Sequence, residues 1–227
     1  MENCYLRRYL HGRGMEIGAL WRRFPLPRAA RVWYVDRFPQ AGLDEQYSSQ
    51  RKMTLVEPDL VADAIQLPAA PASLDFIIAS HVLEHLPFPL AGLRAWYEAL
   101  APGGALLLRV PDKRYSFDRH RQRTPLAHLV EEYEHPERFD RRAHFADWVE
   151  KVHDRKPGEP KFEQAMRKLM EMDYSIHFHV WIDADVRELI DYTREAWRLA
   201  WEPRVFWEAH FYRKETVALL QKHEVAR

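Results

Sequence analysis

The chain has 227 residues, with 34 Lys plus Arg balanced by 34 Asp plus Glu. Its formal net charge of zero excludes any global attraction to a nucleic-acid backbone or an anionic membrane. Hydrophobic residues make up 47% and charged residues 30%, enough for one sizeable core under a solvated surface, so a single domain over 1–227 is expected.

Cys4 is the only cysteine, which rules out an internal disulfide and a multi-thiolate zinc site and fits a reducing compartment. With neither an apolar leader nor a bilayer-length run, the expected location is cytoplasmic and no membrane partner is expected.

Over residues 1–110, short apolar runs alternate with amphipathic ones, the texture of a parallel sheet covered by helices. Met15 to Gly18 and Arg31 to Asp36 are the first two predicted strands, and Leu60 to Asp63 is a short third. Leu74 to Ser80 is the fourth, its near-continuous apolar run suiting a strand buried on both faces. Leu90, Leu93, Trp96, Tyr97 and Leu100 recur at helical spacing. Pro102-Gly103-Gly104 is expected to stop that helix before a fifth strand, Ala105 to Val110. Residues 111–180 turn polar and rich in His and Arg, too long for a plain connection, and read as an inserted helical lid. A helix from Asp185 to Trp197 and strand-like runs 199–207 and 211–220 complete the 181–227 segment. The expected fold class is α/β: a Rossmann-like, mostly parallel seven-stranded sheet with a C-terminal antiparallel hairpin and a helical insertion after strand five.

In such a sheet the ligand crevice lies at the carboxyl ends of the strands, so polar residues there carry the chemistry. Gly18 lets the backbone turn tightly against a ligand, and Glu16 offers an acceptor to a cationic group. Asp36 follows Gly18 by about 18 residues, near the ~20 at which nucleotide-binding domains place an acid for ribose hydroxyls. Asp63 can accept from an adenine amine while the Ala64 N–H meets a ring nitrogen.

Glu16-Ile17-Gly18, Val35-Asp36, Asp63-Ala64-Ile65-Gln66-Leu67-Pro68, the stretch from Leu74 to Leu86 and Leu100-Ala101-Pro102-Gly103-Gly104 occur in one order. Together they resemble the class I S-adenosylmethionine-dependent methyltransferases, over roughly residues 12–110. The resemblance implies S-adenosylmethionine as cofactor, with Glu16 and Gly18 against its methionine part, Asp36 on ribose, Asp63 and Ala64 on adenine, and Ser80 with His81 beside the methionine. Glu84 and His85 would then be structural. One departure is the first loop: Gly18 is followed by Ala19-Leu20-Trp21, and Phe24-Pro25-Leu26-Pro27 is poor material for a first helix.

The segment leaving strand five begins Pro111-Asp112-Lys113-Arg114-Tyr115 and resembles a subgroup of these domains associated with bacterial glycan pathways. Asp112, Lys113, Arg114, Tyr115 and Arg121 are the candidate acceptor-binding residues. The five Lys or Arg against two Asp between 112 and 123 would suit an anionic small-molecule or glycan acceptor, or else form a solvated run of internal ion pairs. His179, His128 and His81 are candidate bases for removing a hydroxyl proton. His177 and His179 alternate, but four convergent ligands do not follow from that, and no metal is assigned. The expected function is therefore methyl transfer, by in-line displacement, to a hydroxyl oxygen of a small-molecule or glycan acceptor, with no nucleic-acid partner and no oligomeric state assigned. Two alternatives stay open: a catalytically silent cofactor-binding or assembly protein, and a nucleotide-dependent oxidoreductase, although the glycines do not form G-x-G-x-x-G.

Overall fold

A computed structural model describes residues 2–47 and 54–223 of the protein; the ends of the expected 1–227 domain therefore lie outside the described residues. The predicted strands form as β1 (Arg13–Ile17), β2 (Arg31–Asp36), β3 (Leu60–Val61), β4 (Leu74–Ser80), β5 (Leu100–Pro111), β6 (Trp201–Trp207) and β7 (Glu215–Lys222). They make one seven-stranded sheet in the order β3-β2-β1-β4-β5-β7-β6. β1 pairs in parallel with β2 and β4, β2 with β3, and β4 with β5, whereas β7 runs antiparallel to both β5 and β6. This is the expected Rossmann-like α/β sheet with its closing hairpin. Because β1 leads outward to β2 and β4 begins the other half, the order reverses between β1 and β4, which puts the ligand crevice at their carboxyl ends.

β4 sits at the centre because Phe76, Ile77, Ile78 and Ala79 are wholly buried and fill both faces. On one face Leu90, Leu93 and Trp96 of α3 (Pro89–Ala99) pack with Val186, Leu189 and Ile190 of α7 (Asp183–Ala196) against Ile77, Leu106 and Leu108. On the other face there is no helix between β1 and β2, as the two prolines near Phe24 imply. Leu6, at the end of α1 (Glu2–Leu6), together with Leu10 and Phe24, covers Phe76, Ile78 and Leu107 instead. The remaining helix of this half, α2 (Gln40–Gln46), follows β2.

Two boundaries differ from expectation. Pro102-Gly103-Gly104 lies inside β5, because Leu100 already pairs with Leu74 and the irregularity is absorbed as a register shift between Leu74 and Phe76. The third strand closes after Val61, leaving Asp63 in the following turn.

The insertion comprises 3-10 turns at Lys113–Tyr115 and Phe117–His120, then α4 (Leu126–Glu134), α5 (Arg141–Lys151) and α6 (Pro160–Glu171). It has a small core of its own: Phe145, Trp148 and Val149 of α5 meet Phe162 and Met166 of α6 with Ile176 and Phe178. Among the described residues, no helix is long and apolar enough to cross a membrane.

Candidate functional site

Two cavities of about 290 and 630 Å³ sit at the switch point, both bordered by Gly18, Leu20, Tyr47, His81, His85, Tyr174 and Ser175. The smaller contains Asp36, Asp63 and Ala64 in its wall, and the larger contains Glu16, Ser80 and His81. All six expected cofactor residues, Gly18 among them, therefore border one or other of these adjoining cavities.

Gly18 ends β1 in the left-handed region at φ 62°, and a Cβ there would stand 3.2 Å from Val82 Cγ2. Its N–H donates to the carbonyl of Val35 at 2.9 Å, joining the ends of β1 and β2. Asp36 is half-buried, and burial raises its pKa against the backbone N–H groups of Phe38 and Arg37. Asp63 is exposed, and one carboxylate oxygen accepts from the Ile65 N–H at 2.9 Å. The Ala64 carbonyl is pinned by the Trp96 indole at 2.8 Å. Glu16 is 2% exposed, and the Phe24 N–H reaches both its oxygens, at 2.9 and 3.1 Å. Burial pushes its pKa up to about 7. This carboxyl is what holds the helix-free loop after β1 against the sheet.

The insertion supplies the roof. Asp173, left-handed at φ 46°, ties Arg141 of α5 to Arg37 after β2, with Arg37 Nη1 donating to its carboxylate at 2.8 Å. Gln46 donates to the Asp173 carbonyl at 3.2 Å. Farther along, the N–H of Phe178 donates to the Glu84 carbonyl at 2.8 Å. Tyr174 and Ser175, which border both cavities, are thereby fixed over the crevice.

One side of the larger cavity is a wall of imidazoles. His81 ends β4 in the left-handed region, φ 56°, where a non-glycine residue is strained and local context must hold it. Its Nε2 is 2.6 Å from Glu215 Oε2, and its Nδ1 is 3.6 Å from Glu84 Oε1. Burial works against the charge, but the Glu215 and Glu84 carboxylates outweigh it and raise the imidazole to about 10. His81 is thus a cation, a hydrogen-bond donor in place of the expected base. Arg109 adds a second cation to Glu215. His85 and His177 complete the wall, their rings 4.6 Å apart. Burial drives His85 down to about 4, so it is neutral. Glu84, beneath them, is pushed up by burial, yet the adjoining imidazoles, His81 first, hold it down to about 2.

The other expected site residues do not reach the crevice. Asp112 is buried and accepts from the Arg114 N–H and Nε, both at 2.8 Å, and from Nη2 at 2.6 Å; Arg114 also pairs with Asp183 of α7. Lys113 donates to the Arg119 carbonyl at 3.0 Å. Tyr115 ends the same turn, with the Arg114 guanidinium 5.5 Å from its ring. Arg121 is 3% exposed and donates to Asp118 at 3.0 Å, Asp147 at 2.6 Å and the His177 carbonyl at 2.8 Å. Arg114, Arg121 and Arg123 of this basic run are consumed by internal carboxylates and anchor the insertion. The guanidinium groups that do border the larger cavity are those of Arg22, Arg23 and Arg109.

His128 and His179 converge on Glu132 of α4, away from the crevice. His128 Nε2 is 3.0 Å and His144 Nε2 2.8 Å from Glu132 Oε1, while His179 is fully buried with Nε2 3.6 Å from Oε2. Burial takes His179 down to about 3. Sequence reading missed His85 and His177 as site residues. The alternation at 177 and 179 marked the segment, but the fold sends the two rings to different clusters, against the one-sided arrangement of an extended strand.

A doubly wound sheet with acids after β2 and β3 and a glycine turn after β1 defines a nucleotide-type binding domain. A family model described as a methyltransferase domain matches residues 22–152, and the chain belongs to that family. Among solved structures, a Rhodobacter sphaeroides protein named among the zinc-dependent alcohol dehydrogenases superposes with TM-score 0.59 at 16% identity, over 97% of this chain and 88% of that one. An S-adenosylmethionine-dependent methyltransferase from Methanosarcina mazei gives 0.51 at 15%, over 96% and 97%. One from Aquifex aeolicus gives 0.50 at 11%, over 96% and 88%. At such identities the likeness is one of fold. The chain spans 50% of the length of the CurJ carbon methyltransferase, with TM-score 0.48. No curated protein sequence matches it.

Proposed function

We infer that the protein transfers a methyl group from S-adenosylmethionine to a hydroxyl-bearing small molecule or glycan. The observation that carries this reading is one crevice at the β1/β4 switch point, with carboxylates at one end and an imidazole wall at the other. The residues fit the cofactor. Asp36 has acceptor capacity for ribose hydroxyls, Asp63 and the Ala64 N–H suit adenine, and the Cβ-free Gly18 admits close backbone approach. The buried Glu16 carboxyl and Ser80 suit the methionine part.

When bound, the cofactor supplies a sulfonium-activated methyl group. The chain's own task is to align the acceptor oxygen with it, keep water from competing for the methyl group and release the hydroxyl proton to bulk solvent. Tyr174 and Ser175 close the crevice from above, and the larger cavity holds the acceptor. The His81 cation, fixed by Glu215, donates a hydrogen bond to the acceptor or to a ligand carboxylate. An anionic acceptor substituent would meet Arg22 and Arg23.

Titration calorimetry of Asp36→Ala with S-adenosylmethionine tests the cofactor end: affinity falls at least tenfold, and an unchanged affinity refutes the assignment. Transfer of labelled methyl into metabolite and glycan extracts tests the reaction. Cofactor binding with no labelled product in any extract would favour the scaffold alternative.

A further inference from the structure

Behind the imidazole wall, the Glu84 carboxylate is 1% exposed, and neither of its oxygens has a hydrogen-bond partner among the described residues. A carboxylate whose two oxygens make no hydrogen bond in the interior is costly and rare, and the charged His81 stands off at 3.6 Å from Oε1. His177 Nε2 stands 3.9 Å from Glu84 Oε1, and one ligand atom each from Glu84, His85 and His177 lie within 4.8 Å of one another.

The ring protons are placed by what lies behind them. His85 Nδ1 is 2.9 Å from the Ile176 carbonyl, which can only accept, so the proton of the neutral ring is on Nδ1. His177 Nδ1 is 2.6 Å from Asp118 Oδ2 and donates to it. In each ring a proton sits on Nδ1, which leaves Nε2 as the atom available to a ligand. One nitrogen of each ring and a Glu84 oxygen converge here, with His81 Nδ1 at 3.6 Å outside hydrogen-bond range.

We propose that Glu84, His85 and His177 bind a divalent transition-metal ion. Two imidazole nitrogens and one carboxylate oxygen are a donor set suited to zinc or a similar borderline cation. Asp118 and the Ile176 carbonyl hold the rings as the outer partners of metal-bound histidines do, each fixing the tautomer that turns Nε2 to the ion. Ligand atoms at ~2.0–2.1 Å around a tetrahedral ion are about 3.3 Å apart, so the 3.9 Å gap closes with a small side-chain rotation. His85 and His177 also border the acceptor cavity, so the remaining coordination position opens toward the acceptor, the arrangement of a catalytic and not a closed structural site. A cation there would acidify an acceptor hydroxyl. That last role rests on the methyl-transfer reading; the binding of the ion does not.

The second imidazole cluster is chemically different. The Glu132 oxygen Oε1 already has His128 and His144 nitrogens at 3.0 and 2.8 Å, while Oε2 has no hydrogen-bond partner and converges with His128 and His179, so Glu132→Gln tells which of the two clusters binds.

The test uses the full chain stripped with a chelator and dialysed, then titrated with Zn²⁺ by calorimetry and with Co²⁺ by visible absorption. The expected result is one saturable ion per chain with the Co²⁺ spectrum of a low-coordinate nitrogen and oxygen site. Glu84→Gln and His177→Ala should abolish it, and Asp118→Asn should weaken it roughly 10- to 100-fold. Glu132→Gln should leave it intact. Circular dichroism and S-adenosylmethionine affinity identify any variant that has merely failed to fold, and Asp118→Asn, which keeps the side-chain shape, then decides. Absence of saturable binding in the unmutated chain overturns the proposal, as does binding that survives Glu84→Gln or is lost in Glu132→Gln. An ion bound as described in a chain without transferase activity would support this site and refute the proposed function.

Discussion

Replacing Glu16 with Gln should make the cofactor-free protein more stable at alkaline pH and leave it nearly unchanged at acid pH. The carboxyl is 2% exposed, and burial moves it from the usual 4.5 to about 7. Between those values the unfolded chain has released the proton while the folded chain keeps it, so stability falls as pH rises through the window. At about 1.36 kcal/mol per pH unit, the ceiling is roughly 3 kcal/mol above pH 7. Gln cannot ionise, but its carbonyl still accepts from the Phe24 N–H, so the loop stays attached. Urea titrations of both proteins at several pH values between 4.5 and 8.5 give the difference, in which other titrating groups cancel. The curves should coincide near the lower end and separate by roughly 2–3 kcal/mol at the upper end. Parallel curves, or a gap that opens on acidification, would refute the burial argument.

Arg121→Met should cost about 3–5 kcal/mol, because the buried Asp118 carboxylate loses its guanidinium partner; a melting temperature lowered by less than a few degrees would count against that ion pair as the insertion's anchor. Gly18→Ala forces a Cβ into the left-handed region and toward Val82, so thermal unfolding should show a loss of about 1–2 kcal/mol and calorimetry a weaker cofactor. Asp173→Ala removes the exposed latch between Arg37 and Arg141. Its stability should change by less than about 1 kcal/mol, while stopped-flow should show faster cofactor release; an unchanged release rate would mean the latch does not hold the roof.

Much of the cofactor end was readable without coordinates. Strand ends follow from short apolar runs with period two, and a strand end is where a polar residue meets a ligand, so Glu16, Asp36 and Asp63 could be named from local pattern, and Ser80 from the family resemblance. The loop after β1 was also local: Phe24-Pro25-Leu26-Pro27 cannot form a helix, and none forms. The Pro102-Gly103-Gly104 boundary was misread because a bulge depends on the partner strand, which the local pattern does not show.

The acceptor side is where local reading ended. Whether Arg114 or Arg121 faces a ligand depends on carboxylates far along the chain, such as Asp183 and Asp147, and the fold brings these in as ion-pair partners. His128 and His179 looked like available bases, yet Glu132 gathers them inside the insertion. His81 looked neutral until Glu215, on a strand added at the end of the chain, came within 2.6 Å. The sequence by itself determined the sheet, the nucleotide end and the existence of an insertion, because these rest on periodicity and strand-end chemistry. Only the tertiary structure decided which charges are spent internally and which histidines face the crevice, because charge state and exposure belong to neighbours that the chain order does not reveal.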